Sequence, residues 1–430
     1  MISLKNFDLK NTNIAIMGAG TSGYDAAKLA SINNPNVTIY DDEKRKLKNK
    51  KFKIIQLSPN TPIENIDIVI KSPGIPQNNN FIVRCRNKKI PIVSEIEFAS
   101  WLSKIKIIGI TGSNGKSTCV KLLKNILDNA NIPSYLGGNI GTSFSSNVIK
   151  ELKQNSKVLH ILELSSFQLE DTFTFSPFIS CIINISRDHM DRYKKFEDYL
   201  NAKLNLVKCS NNINGHIFFN ENDPILSKKL KKYKRAIPFN SNQIPMEEIS
   251  PILMGKHNLE NISAIYSICQ LLKIDKNIII NTINNFNPLK HRLEKIIAKN
   301  GITCFNDSKA TNIISMISAI NSFDKDVVLI IGGYDKEKTS FLNSLTPLRN
   351  KINKIYCYGE SGKRIYLELN KKFKSEYIKS FEEIVPAALK KIKKNETLLL
   401  SPGCASYDQF DNFEKRGEKF ISIIKKYDNI

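Results

Sequence analysis

The stretch Ile107-Ile108-Gly109-Ile110-Thr111-Gly112-Ser113-Asn114-Gly115-Lys116-Ser117-Thr118 decides how the rest of the chain is read. An apolar, largely β-branched run feeds a glycine turn, and a helical pattern follows over residues 120–127. This is the layout of a phosphate-binding loop between a strand and a helix. Gly112 and Gly115 let the backbone approach phosphate oxygens with no Cβ in the way. The N–H groups of the turn, through Ser113 and Asn114, and the helix N-terminus would cradle the anion. Lys116 would neutralise β/γ-phosphate charge, and the Ser117 hydroxyl, with Thr118 beside it, would take a place on Mg²⁺. The ligand class implied is a nucleoside triphosphate. The strict pattern has glycine where this chain has Ile110, so the loop is a variant. An ordinary glycine turn with a surface lysine is the competing reading, and the flanking strand and helix patterns weigh against it.

Composition narrows the class. At 430 residues the chain has room for roughly two to four domains, each with its own core. Hydrophobic content of 41% and charged content of 24% are those of a soluble globular protein. No apolar run reaches the length of a membrane span, and no signal-peptide h-region opens the chain. Eight cysteines are scattered without a Cys-x-x-Cys pair, so reduced thiols in a cytoplasm are expected rather than a disulfide frame or zinc site. The net charge of +23 raises nucleic acid as a partner. Yet the basic residues are spread along the chain with no aromatic-interleaved stripe. Clusters such as Lys228-Lys229-Leu230-Lys231-Lys232 read as solvated faces. Polyanionic small substrates suit this charge; neither nucleic acid nor membrane is expected as a partner, and a monomer is the default.

Upstream of the loop, Ile14-Ala15-Ile16-Met17-Gly18-Ala19-Gly20-Thr21-Ser22-Gly23 reads as a strand, a glycine turn and a helix. A second strand, residues 37–40, ends in Asp41-Asp42. Glycines spaced Gly-x-Gly-x-x-Gly before an acid resemble a dinucleotide fingerprint, a weak signal alone. Residues 66–71 are another buried-strand candidate, ending in Ser72-Pro73-Gly74-Ile75. A first α/β domain, 1–103, follows. A second, 104–288, opens with the phosphate loop. Its strands at 158–164 and 178–185 carry polar residues at their C-terminal ends, where α/β sheets hold ligands. Residues 255–272 read as a loop entering an amphipathic helix, with a break near 286–289. A third domain, 289–430, alternates helices with strands at 302–306, 327–331, 354–358 and 397–400, again a parallel pattern. Three α/β domains with sites at their mutual faces are expected.

Several clusters can carry chemistry. Glu163, in Glu163-Leu164-Ser165-Ser166-Phe167-Gln168-Leu169, ends an apolar strand. It suits Mg²⁺, which takes one or two carboxylates plus phosphate and water; a capping or ion-paired glutamate is the equal alternative. Asn184-Ile185-Ser186-Arg187-Asp188-His189-Met190-Asp191-Arg192-Tyr193 follows a strand, and Asp188, His189 and Asp191 could bind metal or orient a nucleophile. Lys203 sits on a helical pattern, where the solvated reading prevails. His291-Arg292-Leu293-Glu294 could clamp an anion or form a structural ion pair. Asn306-Asp307-Ser308-Lys309-Ala310-Thr311-Asn312 places a lysine at a helix start, an anion site. Gly332-Gly333-Tyr334-Asp335-Lys336 and Ser401-Pro402-Gly403-Cys404-Ala405-Ser406-Tyr407-Asp408 also follow strands, so three loops of the third domain gather at one edge.

Together these motifs resemble the Mur ligase family over the whole chain, most closely its D-glutamate-adding branch. The discriminating segments are Glu163 to Leu169, Asp188 to Tyr193, His291-Arg292, Asp307 to Asn312, and Ser401 to Gly417. The resemblance implies a Rossmann-like N-terminal domain, a central P-loop ATPase domain and a Rossmann-like C-terminal domain. It implies ATP-dependent joining of D-glutamate to UDP-N-acetylmuramoyl-L-alanine through an acyl phosphate, in peptidoglycan precursor synthesis. It assigns ATP to Gly112–Thr118, Asn258, Asn261, Arg292 and Asp307, and two Mg²⁺ ions to Ser117, Glu163, His189 and Lys203, the last as a carbamate. The UDP-sugar falls to Gly18, Gly20, Thr21, Ser22, Gly23, Asp41, Ser72, Asn139 and His189. D-Glutamate falls to Lys309, Thr311, Lys336, Ser406, Tyr407 and Phe413. Lys116, Asn139, His189 and Lys203 are the implied catalytic set. The first-domain turn is thereby reassigned from a dinucleotide to a UDP diphosphate. A folylpolyglutamate synthetase, a nicotinamide oxidoreductase and an ATP-binding regulatory or basic nucleic-acid-binding protein are the alternatives. The first is disfavoured by Asp188 to Tyr193 and Asp307 to Asn312, the second leaves Lys116 and Glu163 unexplained, and the third needs eroded catalytic positions.

Overall fold

The computed structural model describes residues 9–42, 52–154, 158–190, 192–212, 215–250, 256–286, 290–298, 301–336 and 340–427. Two compact units divide the chain: residues 1–185 with 195–286, and residues 186–194 with 287–430.

The first unit holds two parallel sheets among the described residues. Strands β1 (Ile14–Met17), β2 (Val37–Asp41), β3 (Lys53–Gln56), β4 (Ile68–Lys71) and β5 (Ile92–Ser94) line up as β3-β2-β1-β4-β5. Strands β6 (Ile107–Thr111), β7 (Ser134–Gly138), β8 (Leu159–Glu163), β9 (Ile179–Ile182), β10 (His216–Asn220) and β11 (Ala236–Phe239) line up as β11-β10-β9-β6-β8-β7. β1, β4, β6 and β9 are buried along their whole length, as strands covered on both faces must be. The covering helices are α1 (Thr21–Ala30), α2 (Asn80–Asn87), α3 (Glu95–Leu102), α4 (Lys116–Asn129), α5 (Phe144–Gln154), α6 (Ser166–Leu169), α7 (Phe196–Asn212), α8 (Pro224–Leu230), α9 (Lys256–Leu271) and α10 (Lys276–Asn284). α4 shows why they form: Val120, Leu123 and Leu127 recur at helical spacing and are buried. In the first sheet the order reverses between β1 and β4, so a crevice opens beyond their C-terminal ends.

These two sheets share one apolar core, in which Ile96 and Phe98 of α3 meet Phe144, Val148, Leu164, Leu169 and Phe175. A fully buried carboxylate spans the same seam. Glu97 accepts from the backbone N–H groups of Phe173, Thr174 and Phe175 at 2.8–2.9 Å, from the Thr174 hydroxyl and from the Trp101 indole N–H. Glu95 accepts from Ser145 N–H at 2.5 Å, and burial pushes its carboxyl up to about 7.

The second unit holds a mixed sheet. Strands β12 (Glu294–Ile297), β13 (Thr303–Asn306), β14 (Val327–Gly332), β15 (Ile352–Tyr358), β16 (Ser375–Tyr377) and β17 (Thr397–Leu400) line up as β12-β13-β17-β14-β15-β16. The four strands expected here, β13, β14, β15 and β17, pair parallel, as does β16 with β15; β12, a strand the sequence pattern did not offer, pairs antiparallel with β13. The cause is local, because a reversal of β12 onto β13 is closed by Ala298 N–H to Ile302 O and Gly301 N–H to Ala298 O. Helices α11 (Ile313–Asn321), α12 (Phe341–Leu345), α13 (Gly362–Leu369), α14 (Phe381–Lys391) and α15 (Phe413–Tyr427) complete the unit. Residues 255 and 287–289, where a loop and a break are expected, lie outside the described residues.

Candidate active site

The first unit gathers its polar groups at the C-terminal ends of the adjacent strands β9, β6 and β8. The loop after β6 turns into α4 through Gly115, whose φ of 88° is left-handed. A Cβ there would also collide with Asn261 Oδ1 of α9, so glycine is required twice over. Asn184, just past β9, grips the loop: its Oδ1 accepts from Asn114 N–H at 2.9 Å, its Nδ2 donates to Asn114 O at 3.1 Å, and its carbonyl accepts from Ser113 N–H at 3.0 Å. Ser113 Oγ lies 2.8 Å from the Tyr199 hydroxyl of α7. Lys116 Nζ donates to Gly112 O at 2.6 Å and Ser113 O at 2.8 Å.

Lys203 is not solvated, as its local sequence suggested. It is 2% exposed, donates to the same Gly112 carbonyl at 2.8 Å, and lies 4.9 Å above the Tyr199 ring. Tyr199 and Lys203 are four residues apart on α7 and so share a face. Two ammonium groups therefore converge on one carbonyl oxygen of the phosphate loop.

Glu163 ends β8 and is 1% exposed. Its Oε1 accepts from Asn139 Nδ2 at 2.8 Å, while Oε2 is buried with no hydrogen-bond partner. Thr118 Oγ1 is likewise buried and unpartnered, and Ser117 is 4% exposed. An orphaned carboxylate oxygen beside a phosphate loop is a donor set that fits a hard divalent cation. Lys203 as an ammonium does not fit one. Asn258 is exposed on α9, one turn before the buried Asn261.

The turn after β1 forms a second anion-receptive element. A Cβ on Gly23 would run into the Gly18 carbonyl, so the helix start packs directly on the turn. Asp41, at the end of β2, accepts from Ala19 N–H at 2.5 Å and is buried. Ser72, after β4, sits against Gly18 and Gly23 with its hydroxyl buried and unpartnered. Gly20 caps α1 without a side-chain bond, with Thr21 and Ser22 in the first turn.

The second unit brings the other candidates together. Lys309 Nζ lies 4.2 Å over the Phe413 ring. Lys336 pairs with Asp188 at 3.1 Å, both side chains under one-tenth exposed, and Asn312 Nδ2 donates to the other Asp188 oxygen at 3.3 Å. His189 adopts φ 59°, its Nε2 3.7 Å from Asp188 Oδ2. Thr311 is half-buried, Ser406 is buried and Tyr407 is 70% exposed. Asp307 accepts from the Ser401 hydroxyl at 2.8 Å; burial pushes its carboxyl up to about 7 against the opposing pull of Arg292 and Arg416. Asp191 lies outside the described residues.

Two organising residues stood inside quoted motifs without being given a role. Asn184 was visible only as part of a polar cluster. Arg416 is fully buried and donates to Ser308 Oγ and O, Tyr358 Oη and Cys404 O at 2.7–3.1 Å, binding two loops to the end of β15. Its signal was periodicity: Arg416, Phe420, Ile423 and Ile424 form the buried face of α15.

Comparison with known proteins bears on the family and the fold. Residues 110–248 match the Mur ligase middle domain, and residues 291–404 match the Mur ligase, glutamate ligase domain. The chain is 36% identical to the UDP-N-acetylmuramoylalanine--D-glutamate ligase of Christiangramia forsetii, over 96% of this chain and 99% of the relative. It is 34% identical to the enzyme of that name from Buchnera aphidicola subsp. Schizaphis graminum, over 96% and 98%. In fold it is similar to the UDP-N-acetylmuramate-alanine ligase MurC of Thermotoga maritima, with a TM-score of 0.60 and 18% identity over 96% of this chain and 99% of that one. It is similar also to the MurF ligase of Thermotoga maritima solved with ADP, with a TM-score of 0.59 and 14% identity over 98% and 96%.

Proposed function

We propose a two-step ligation for this chain, which belongs to the Mur ligase family and, within it, to the UDP-N-acetylmuramoylalanine--D-glutamate ligases. It is an ATP-dependent ligase of peptidoglycan precursor synthesis. The alanyl carboxylate of UDP-N-acetylmuramoyl-L-alanine attacks the γ-phosphorus of ATP, giving an acyl phosphate and ADP. The amine of D-glutamate then attacks the acyl carbon, and phosphate leaves from the tetrahedral intermediate as the amide forms.

The observation that supports this reading best is the convergence of Lys116 and Lys203 on Gly112 O beside the orphaned Glu163 oxygen. In this scheme Lys116 stabilises charge on the phosphoryl group in transfer. Ser117, Thr118 and Glu163 would hold one Mg²⁺, and His189 with a carbamylated Lys203 a second. When bound, these ions polarise phosphoryl and carboxylate oxygens as Lewis acids. Carbamylation adds CO₂ to the neutral Lys203 amine with loss of one proton, turning a repulsive neighbour of Lys116 into an attractive one. Asn258, Asn261, Arg292 and Asp307 take the nucleotide. The Gly18–Gly23 turn, Asp41, Ser72 and Asn139 take the UDP-sugar. Lys309, Thr311, Lys336, Ser406, Tyr407 and Phe413 take D-glutamate. The reading extends to a cytoplasmic monomer, testable by sedimentation; no described helix is long and apolar enough to cross a membrane.

The test is phosphate release against a panel of amino acids. Release should require ATP, UDP-N-acetylmuramoyl-L-alanine and D-glutamate together. Equal release with L-glutamate, or without the UDP-sugar, overturns the assignment.

A further inference from the structure

One buried cation of the first unit takes no part in these steps. Lys71 closes β4 with its side chain 1% exposed. Its Nζ lies 3.0 Å from Asp171 Oδ2 and 3.6 Å from Glu170 Oε2, and donates to the Ile75 carbonyl at 3.2 Å. Gln77 repeats the grip, its Nε2 donating to Glu170 Oε2 at 2.8 Å and Asp171 Oδ2 at 2.9 Å. Ser94 N–H donates to the Asp171 carbonyl at 2.9 Å. Lys71 and Ser94 end strands of the first sheet, and Gln77 lies in the connection from β4 to α2. Glu170 and Asp171 follow α6, directly downstream of the strand end that carries Glu163.

Between Lys71 and Gln77 runs the turn Ser72-Pro73-Gly74-Ile75-Pro76, closed by Ile75 N–H to Ser72 O at 3.1 Å. The Ser72 hydroxyl has no partner, so its side chain does nothing to fix it. Its position is set by Ser72 N–H on Met17 O and by the anchors on either flank. An apolar side chain in place of a buried ion pair is often as stable or more so. Stability alone therefore does not account for a lysine here; placement does.

We infer that Lys71 is a positioning residue. Through Asp171 and Glu170 it holds the Ser72 turn, and with it the UDP-sugar subsite, at a fixed offset from the Glu163 strand end. The inference rests on the ligase reading for what that turn binds. A misplaced turn weakens binding of one substrate, whereas the phosphate loop, anchored by Asn184 and Asn261, is untouched.

The test uses the full chain with Lys71→Met, Lys71→Arg and Asp171→Asn, assayed well below each variant's melting temperature. Lys71→Met should raise the KM for UDP-N-acetylmuramoyl-L-alanine ~10-fold or more, since small displacements of bound reactants have large effects, with the KM for ATP within ~2-fold. Lys71→Arg should restore most of the loss, and Asp171→Asn should reproduce the split from the other side. If Lys71→Met does not fold, Asp171→Asn decides on the same readout. A lower melting temperature with both KM values unchanged, or an equal rise in both, overturns the inference while leaving the ligase reading intact. A wild-type chain that does not turn over the UDP-sugar overturns the ligase reading and this inference with it.

Discussion

Lys116 and Lys203 at the phosphate loop and Lys309 and Lys336 of the second unit are held in different ways. Lys116 and Lys203 converge on one carbonyl oxygen of the phosphate loop, that of Gly112. Lys336 is held by Asp188, and Lys309 rests over the Phe413 ring. Two cations crowded on one oxygen favour any polyanion that comes between them. A cation already matched must exchange an internal partner for its ligand, so its net gain is smaller. The first arrangement suits tight capture of a polyphosphate; the second suits selection among small acids.

The sharpest way to break this contrast is Lys116→Ala. Loss of a few kcal/mol of transition-state stabilisation should lower kcat by about a hundredfold or more. Near-normal turnover of the purified variant would remove the loop from the mechanism. Lys203→Ala should be nearly inactive and partly recover with added short carboxylates, which can return anionic oxygen to the vacated space. The loss should fall on kcat more than on ATP affinity, because Lys116 still holds the nucleotide; full activity without additive would mean that Lys203 is only structural.

Replacing Lys309 and Thr311 together by alanine tests the second region. The KM for D-glutamate should rise by ~10-fold or more, about the value of at least one charge-assisted hydrogen bond, with the KM for ATP little changed. Unchanged D-glutamate saturation would place the amino acid elsewhere.

The smallest effect is one of pH, and it sharpens the comparison because each unit supplies an instance. Asp307 and Glu95 are both pushed up to about 7 by burial, from ordinary values near 4. Between those limits the folded chain binds more protons than the unfolded one. Stability from these carboxyls is therefore present at low pH and is lost as pH rises from about 4 to about 7. Each contributes a slope of at most about 1.4 kcal/mol per pH unit. Asp307→Asn and Glu95→Gln should each flatten the denaturant-measured profile in that window; an unchanged slope would show that the carboxyl is ionised throughout.

Much of this was legible in the residues. Strands buried on both faces, such as β1, β4 and β9, announce themselves as continuous apolar runs, and glycine turns mark their C-terminal ends. β3 has exposed residues at both of its ends, and β16 has three half-buried residues, so neither gives a pattern. β12 reads as a strand only once its antiparallel partner is known. Lys116 and Glu163 were readable because loop and strand end define them locally. Lys203 was not, because its partner Gly112 lies far away in sequence and only packing brings the two together. The role of Arg416 was hidden for the same reason, its acceptors coming from two loops and a strand end far apart in sequence.

Glu97 has a consequence for modularity. Its buried carboxylate is satisfied almost wholly by donors from residues 173–175, which belong to the neighbouring sheet's connections. An N-terminal fragment ending near residue 103 would leave that charge stripped of most of its donors in an apolar surface, and the remainder would leave three N–H groups without their oxygen. The first sheet is therefore not an exchangeable cassette. A chimera that swaps it must carry the 170–176 loop along, or the graft will fail at the join rather than at the active site.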